Sequence, residues 1–325
     1  MHAEFRRVDW PYITPFRISY AVSTIAETVW VELRDGQHIG RGEAMGVSYH
    51  GESADALLTQ LEQVRHLVNS GLTRDSLISL LPPGGARNAL DCALWDLEAK
   101  RSGRRAWELA GINEVRSLRS AFTLGLDSPE AMERAASTTG QYSLLKLKLG
   151  GEGDIERVKA VRRARPNVDL IVDANQAWNE HQLRTFTPIL HNLGVQLIEQ
   201  PLPVGNDRIL TEFRSPVPLC ADESCQTTES LPGLAGKYEY VNIKLDKTGG
   251  LTEALRLAQA ARAAHFKLMV GCMAGSSLAM APGFIIGQSC EIVDLDGPLL
   301  ASRDVPNGIH YEGSWLSIPG AGLWG

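Results

Sequence analysis

The chain has 325 residues, 44% of them hydrophobic and 22% charged, with a formal net charge of −6. That length supplies a large core, as one α/β barrel or two modest domains, and the acidic balance leaves no electrostatic footprint for nucleic acid or an anionic membrane surface. The five cysteines, Cys92, Cys220, Cys225, Cys272 and Cys290, are scattered without a C-x-x-C, which argues against a disulfide frame and a zinc site.

The opening MHAEFRRVDWPYITPF carries charges where a signal peptide needs an apolar stretch, and no apolar run approaches the ~20 residues that span a bilayer, so the expectation is a cytoplasmic protein. Thr28–Leu33 is β-branched and partly alternating. Asp35-Gly36 signals a turn, and a second strand follows over His38–Glu43. Two helices come next. Leu57, Leu58, Leu61 and Val64 mark the first, from Ser53 to about Asn69. Ala89, Leu90, Ala93, Leu94 and Leu97 mark the second, from Ala86 to about Arg101. Residues 1 to about 115 are thus expected to form an α+β module of about three strands with a helical part.

From about residue 116 short apolar strands alternate with helices. The strands are read at Ser120–Leu124, Leu144–Leu149, Asp169–Asp173, Val195–Glu199, Pro218–Asp222, Tyr240–Lys244, Lys267–Val270 and Glu291–Leu295. Helices such as Gly153–Ala164, Glu180–Asn192 and Leu251–Ala264 separate them. This pattern predicts a parallel βα barrel over 116–305, with the Gly- and Pro-rich residues 306–325 folding back over the first module. Gly150–Gly153 lacks the lysine and spacing of a phosphate cradle and reads as a flexible βα loop. Cys272–Ser277 is small and reads as pocket wall.

Charge falls at the strand ends. LIVD stops at Asp173, QLIE at Glu199, PLCAD at Asp222 and VNIK at Lys244, each about one βα unit after the last. C-terminal strand ends converge on one face of a barrel. A single strand-end acid can equally cap the next helix, whereas three in register point to a shared all-oxygen site suited to Mg²⁺ or Mn²⁺. In Leu145-Lys146-Leu147-Lys148-Leu149 the alternation sends the leucines outward and both lysines into the interior, unless the strand is an edge with a solvated lysine face. Lys244 lies four strands on, across the barrel from Lys148. Two lysines flanking a carboxylate-bound cation can move a proton on and off a carbon next to a carboxylate. The cation neutralises the enediolate, and desolvation with nearby cations is expected to lower the working lysine's pKa.

The runs KLK, DANQAW, EQPLP, ADES and NIKLDKTGG, with ARNALDCALWDLEAK in the first module, resemble the muconate-lactonizing-enzyme subgroup of the enolase superfamily over nearly the whole chain. The resemblance implies a (β/α)7β barrel with an N-terminal α+β capping domain. It implies metal ligands at Asp173, Glu199 and Asp222, an opposed acid/base pair at Lys148 and Lys244, and Lys146 neutralising the enolate and tuning Lys148. Asn175 and Glu223 fall close behind the ligands. Asp294-Leu295-Asp296 resembles the acidic pair with which dipeptide epimerases hold a substrate's α-ammonium, although Asp and Gly here also make a turn. Thr123 matches a dipeptide contact of those enzymes.

VNIKLDKTGGLTEAL and CADESC are most similar to the bacterial L-Ala-D/L-Glu epimerases, which invert the Cα of a dipeptide's C-terminal residue in murein peptide recycling. The resemblance departs at one place. Relatives acting on Ala-Glu present an arginine from the loop after the first strand, whereas Tyr20 stands there in this chain, with Arg17 nearer the strand and His50 as another candidate contact. A dipeptide is therefore the expected partner, its second side chain is open, and the sequence leaves a homo-oligomer open as well. N-acylamino acid racemisation, o-succinylbenzoate synthesis and cycloisomerisation are alternatives on the same scaffold, and a non-catalytic peptide-binding barrel is one from another class.

Overall fold

The computed structural model describes residues 1–325. An antiparallel sheet opens the chain, formed by β1 (His2–Ile18), β2 (Ala21–Asp35) and β3 (His38–Met45) in that spatial order. The β1–β2 hairpin extends past this sheet, with its register shifting between Pro11 and Phe16. Helices α1 (Ala54–Asn69), α2 (Arg74–Leu80) and α3 (Gly85–Ser102) cover the sheet. The side chains of Ser53 and Thr73 cap α1 and α2 by accepting from backbone N–H groups. Val29, Val31, Leu33, Leu57, Leu61, Leu90 and Leu97 build a separate buried core here. The one-turn helix α4 (Ala106–Leu109) ends this part.

A second sheet holds eight parallel strands in sequential order: β5 (Phe122–Leu124), β6 (Leu144–Lys148), β7 (Asp169–Asp173), β8 (Val195–Glu199), β9 (Leu219–Ala221), β10 (Tyr240–Lys244), β11 (Lys267–Gly271) and β12 (Ile292–Val293). A parallel bridge between Ser120 and Val293 brings the two edges together and closes the barrel. The connections carry α5 (Pro129–Ser137), α6 (Asp154–Ala164), α7 (Glu180–Asn192), α8 (Leu231–Leu234), α9 (Leu245–Thr248), α10 (Leu251–Ala263) and α11 (Ser277–Gly287). After β12 only the one-turn α12 (Gly297–Leu300) follows, so the eighth strand has no full covering helix. The fold matches the expected barrel with its separate α+β module.

Leu145, Leu147, Leu170, Val172, Ile198, Val241 and Val270 point outward from the strands into the main core under the helices. The interior is filled below the site by one small layer, Ala121, Leu144, Ile171, Leu197, Cys220 and Met269. Above that layer the inward positions turn polar. A small sheet joins β4 (Leu118–Arg119), just before the barrel strands, to β13 (Tyr311–Glu312) and β14 (Trp315–Leu316), which follow them and lead into the chain's last residues. Those residues reach the first module: Trp324 Nε1 donates to the Cys92 carbonyl at 3.0 Å and the Gly325 N–H to Asp96 Oδ1 at 2.7 Å.

The Gly150–Gly153 loop is not loose. The Asp154 carboxylate accepts from the N–H groups of Gly150 and Gly151 at 2.9 and 2.7 Å and from Trp178 Nε1 at 2.7 Å.

Candidate active site

Strand alternation brings Lys146 and Lys148 inward, as the sequence predicts; they are only 1% and 8% exposed. Lys146 Nζ lies 2.7 Å from Glu199 Oε2, 2.8 Å from Asp294 Oδ2 and 3.3 Å from Asp173 Oδ2. Lys148 Nζ lies 2.6 Å from Asp173 Oδ2. Across the barrel, Lys244 Nζ lies 2.8 Å from Asp222 Oδ2 and 4.0 Å from Glu199 Oε1. Asn242 on the same strand donates to Glu199 Oε1 at 2.8 Å. Each of Asp173, Glu199 and Asp222 offers an oxygen, and these oxygens lie within 4.8 Å of one another in a fully buried cluster.

Three buried carboxylates without nitrogen or sulfur donors are a hard donor set, and they can hold a divalent cation. Asn175 and Glu223 stand directly behind the cluster. The Asn175 N–H donates to Asp173 Oδ1 at 2.9 Å, and its Nδ2 lies 3.5 Å from Glu223 Oε1. Asn175 Oδ1 and Glu223 Oε2 are buried without a hydrogen-bond partner, which leaves polar capacity unspent beside the acids. Asn175 also holds a left-handed backbone, φ +42°, a conformation that asparagine tolerates better than most residues.

The electrostatics separate the acids. Burial opposes ionisation of Asp173, yet Lys148 and Lys146 outweigh it and hold its pKa down at about 2. Lys244 and Lys247 likewise overcome burial at Asp222 and hold it well below the carboxylate range. Glu199 goes the other way, to about 7, through burial and then the Asp173 charge. Glu223 is pushed to about 8 by burial, Asp222 and Asp173. Burial acts to lower Lys146 and Lys244, but the surrounding acids, led by Asp294 for the first and Asp222 for the second, win and hold both well above the ordinary lysine value.

Asp294 and Asp296 both reach this face. The Thr123 N–H donates to Asp296 Oδ2 at 2.7 Å, and Thr123 Oγ1 lies 3.5 Å from Asp294 Oδ1. The two acids differ: Asp294 is paired with Lys146, whereas burial and then Asp294 push Asp296 up to about 7. Cys272 directly follows β11 and lies near them. Burial and these acids raise its thiol well above the ordinary value, in keeping with a wall residue.

The hairpin tip closes on the mouth. Ser19 Oγ donates to the Asn175 carbonyl at 3.1 Å. Tyr20 is 51% exposed, and its hydroxyl is raised by burial and then by Glu223, which places it within electrostatic reach of the acids. Arg17 lines a cavity of about 660 Å³ with Phe16, Phe122, Thr123 and Leu300. His50 is exposed and sits edge-on to Tyr49, with ring centroids 4.7 Å apart. The sequence reading missed Asn242, Lys247 and Tyr49. Asn242 was visible as an inward position two before Lys244. Tyr49 adjoins His50, and its hydroxyl is raised by burial and then by Asp222. Lys247 lies beyond the strand, where alternation gives no signal.

Residues 2–111 match the mandelate racemase / muconate lactonizing enzyme N-terminal domain, and residues 128–312 the enolase C-terminal domain-like family. The L-Ala-D/L-Glu epimerase of Escherichia coli (strain K12) is 43% identical over 95% of this chain and 97% of its own length. An N-acetyl-D-glutamate racemase of Pseudoalteromonas sp is also 43% identical, over 91% of this chain and 94% of its own. Among solved structures, an enolase family member from Agrobacterium tumefaciens with homology to dipeptide epimerases, holding sodium and L-Ala-L-Glu, superposes with a TM-score of 0.98. It is 42% identical and covers 100% of this chain and 99% of that one.

Proposed function

Because the chain belongs to the mandelate racemase / muconate lactonizing enzyme family of the enolase superfamily, we propose that it epimerises a dipeptide at the Cα of its C-terminal residue. The observation that carries this reading is the pair of buried lysines on opposite walls of one barrel, Lys148 on β6 and Lys244 on β10, with three acid oxygens beside them.

In this reading Asp173, Glu199 and Asp222 hold Mg²⁺ or Mn²⁺. When bound, the cation supplies positive charge to the substrate carboxylate as its α-proton leaves. Lys148 and Lys244 then do the proton work from opposite faces. One amine takes the Cα proton and the other ammonium returns a proton to the planar carbon, which inverts the centre. Lys146, held among Glu199, Asp294 and Asp173, adds a fixed positive charge beside Lys148 that favours the charge developing on the substrate. Asn175 and Glu223 brace the ligands from behind.

Asp296 is the group on this chain best placed to receive the α-ammonium, because Asp294 is already paired with Lys146 and Thr123 fixes the Asp296 carboxylate from one side. This acidic pair supports a dipeptide over an N-acylamino acid. The Pseudoalteromonas relative keeps N-acylglutamate racemisation as a second reading. If the preferred dipeptide is L-Ala-L-Glu, as the Escherichia coli relative suggests, the reaction belongs to murein peptide recycling in the cytoplasm.

The test is deuterium incorporation. Protein with Mg²⁺ in D₂O is offered L-Ala-L-Xaa and L-Xaa-L-Glu dipeptides together with N-acetylglutamate. A one-mass-unit gain in dipeptides supports the proposal; exchange in N-acetylglutamate alone replaces it with the second reading; no exchange in any compound sinks both.

A further inference from the structure

Lys247 is 1% exposed, inside a segment whose every residue from Leu245 to Gly250 is buried. Its three N–H groups all have protein acceptors: Asp222 Oδ1 at 2.6 Å, the Asn242 carbonyl at 3.0 Å, and the Asp222 carbonyl. An ammonium saturated in this way has no proton to offer a substrate. Lys244 makes one close contact, to the other oxygen of the same carboxylate, Asp222 Oδ2 at 2.8 Å. Asp222 thus has two ammonium partners of different character, one fully committed and one with N–H groups to spare.

The rest of Asp222 is fixed as well. Its N–H donates to Gln200 Oε1 at 3.0 Å, the oxygen that also takes the Ser224 N–H at 3.0 Å. The segment carrying Lys247 is gripped in turn by α3. Asn88 Nδ2 donates to Asp246 Oδ1 at 3.0 Å, Arg87 donates to the carbonyls of Thr248 and Gly249 at 2.6 and 3.1 Å, and Asp91 accepts from the Thr252 N–H at 2.9 Å. A Cβ on Gly249 would stand 2.4 Å from Arg87, and one on Gly250 2.5 Å from Asp91, so helix and segment fit without slack.

We propose that Lys247 is a positioning residue for the cation site: it clamps Asp222 through Oδ1 and the main-chain carbonyl, so that Oδ2 alone is presented to the interior, and α3 holds the clamp in place. The inference rests on the reading of Asp222 as a cation ligand. It makes a prediction opposite in sign to simple electrostatics. A buried positive charge repels a neighbouring cation, so a lysine that only balanced charge would, on removal, tighten cation binding. A lysine that aims the ligand would, on removal, weaken it, and groups that orient metal ligands typically set affinity by about 10- to 100-fold.

The experiment is calorimetric titration of the purified full chain with Mg²⁺, without substrate, for wild type and Lys247→Met. At least about tenfold weaker binding in the variant is expected. Equal or tighter binding overturns the inference while leaving Asp222 as a ligand; a wild-type chain that binds no Mg²⁺ overturns the ligand reading and the inference with it. If Lys247→Met fails to fold, Asn88→Ala decides the matter, since it loosens the grip of α3 and changes no charge. Weaker Mg²⁺ binding in Asn88→Ala supports the clamp, and unchanged binding overturns it.

Discussion

Lys148 and Lys244 stand on strands four apart in a closed eight-stranded barrel, and each is bonded to a different member of one acid cluster, Asp173 Oδ2 at 2.6 Å and Asp222 Oδ2 at 2.8 Å. The pairing holds the two side chains buried at opposite walls, where neither can do the other's work.

Lys148→Ala and Lys244→Ala are each expected to abolish epimerisation, a loss of at least about 10³-fold. Each should keep solvent-deuterium exchange in one epimer, because a single base exchanges a proton without inverting the centre. Chiral chromatography with mass spectrometry of both starting epimers checks this. Exchange of the same epimer by both variants would sink the two-face assignment.

Asp296→Asn is expected to raise KM for a dipeptide by about 10- to 100-fold, the scale of removing one buried charge from a paired site. Exchange of N-acetylglutamate, which has no ammonium, should not fall. Steady-state kinetics on both substrates separates the outcomes, and an equal loss on both would remove Asp296 from ammonium recognition.

Chelation should stop exchange without unfolding the chain, because four lysines still balance the emptied acids. Mg²⁺ at about a hundredfold over its Kd should then add about 2.7 kcal/mol of stability. Glu199→Gln is expected to remove most of that thermal shift. A full shift in the variant would show that the ion binds elsewhere.

Asp91 gives a pH prediction away from the chemistry. Burial lifts its pKa to about 6, against the lowering pull of its bonds from Thr252. Its pKa is raised in the folded state, so its favourable contribution is full below the ordinary carboxylate value and is lost as pH rises through about 6. At neutral pH that loss amounts to about 3 kcal/mol. Asp91→Asn should therefore flatten the fall in Tm between about pH 4 and pH 7, read by thermal unfolding across that range. A slope equal to wild type would mean that Asp91 is already ionised at low pH.

The site was legible where residue type and strand period coincide. LIVD, QLIE and VNIK announce their charged ends because the residues before them are apolar, and KLK separates its two faces by alternation. β1 was harder to see. Pro11 and Pro15 argue against a strand, and the chain accommodates them on an edge where the register shifts. The seven-residue α2 is too short for a periodic signal. The sequence shows that Lys146 and Lys244 are buried but not how many carboxylate oxygens surround each of them. Lys247 escaped for a related reason: its three acceptors are two oxygens of Asp222, just after β9, and the carbonyl of Asn242 on β10, which only the fold brings together.

The close fit of Gly249 and Gly250 against Arg87 and Asp91 also bears on how such enzymes can be recombined. A chimera that grafts the first module of one relative onto the barrel of another would cut through this contact, although the cut looks clean in the sequence. The inheritable unit is α3 together with residues 246–252, and a graft that carries both should keep its proton chemistry while exchanging its substrate-facing hairpin.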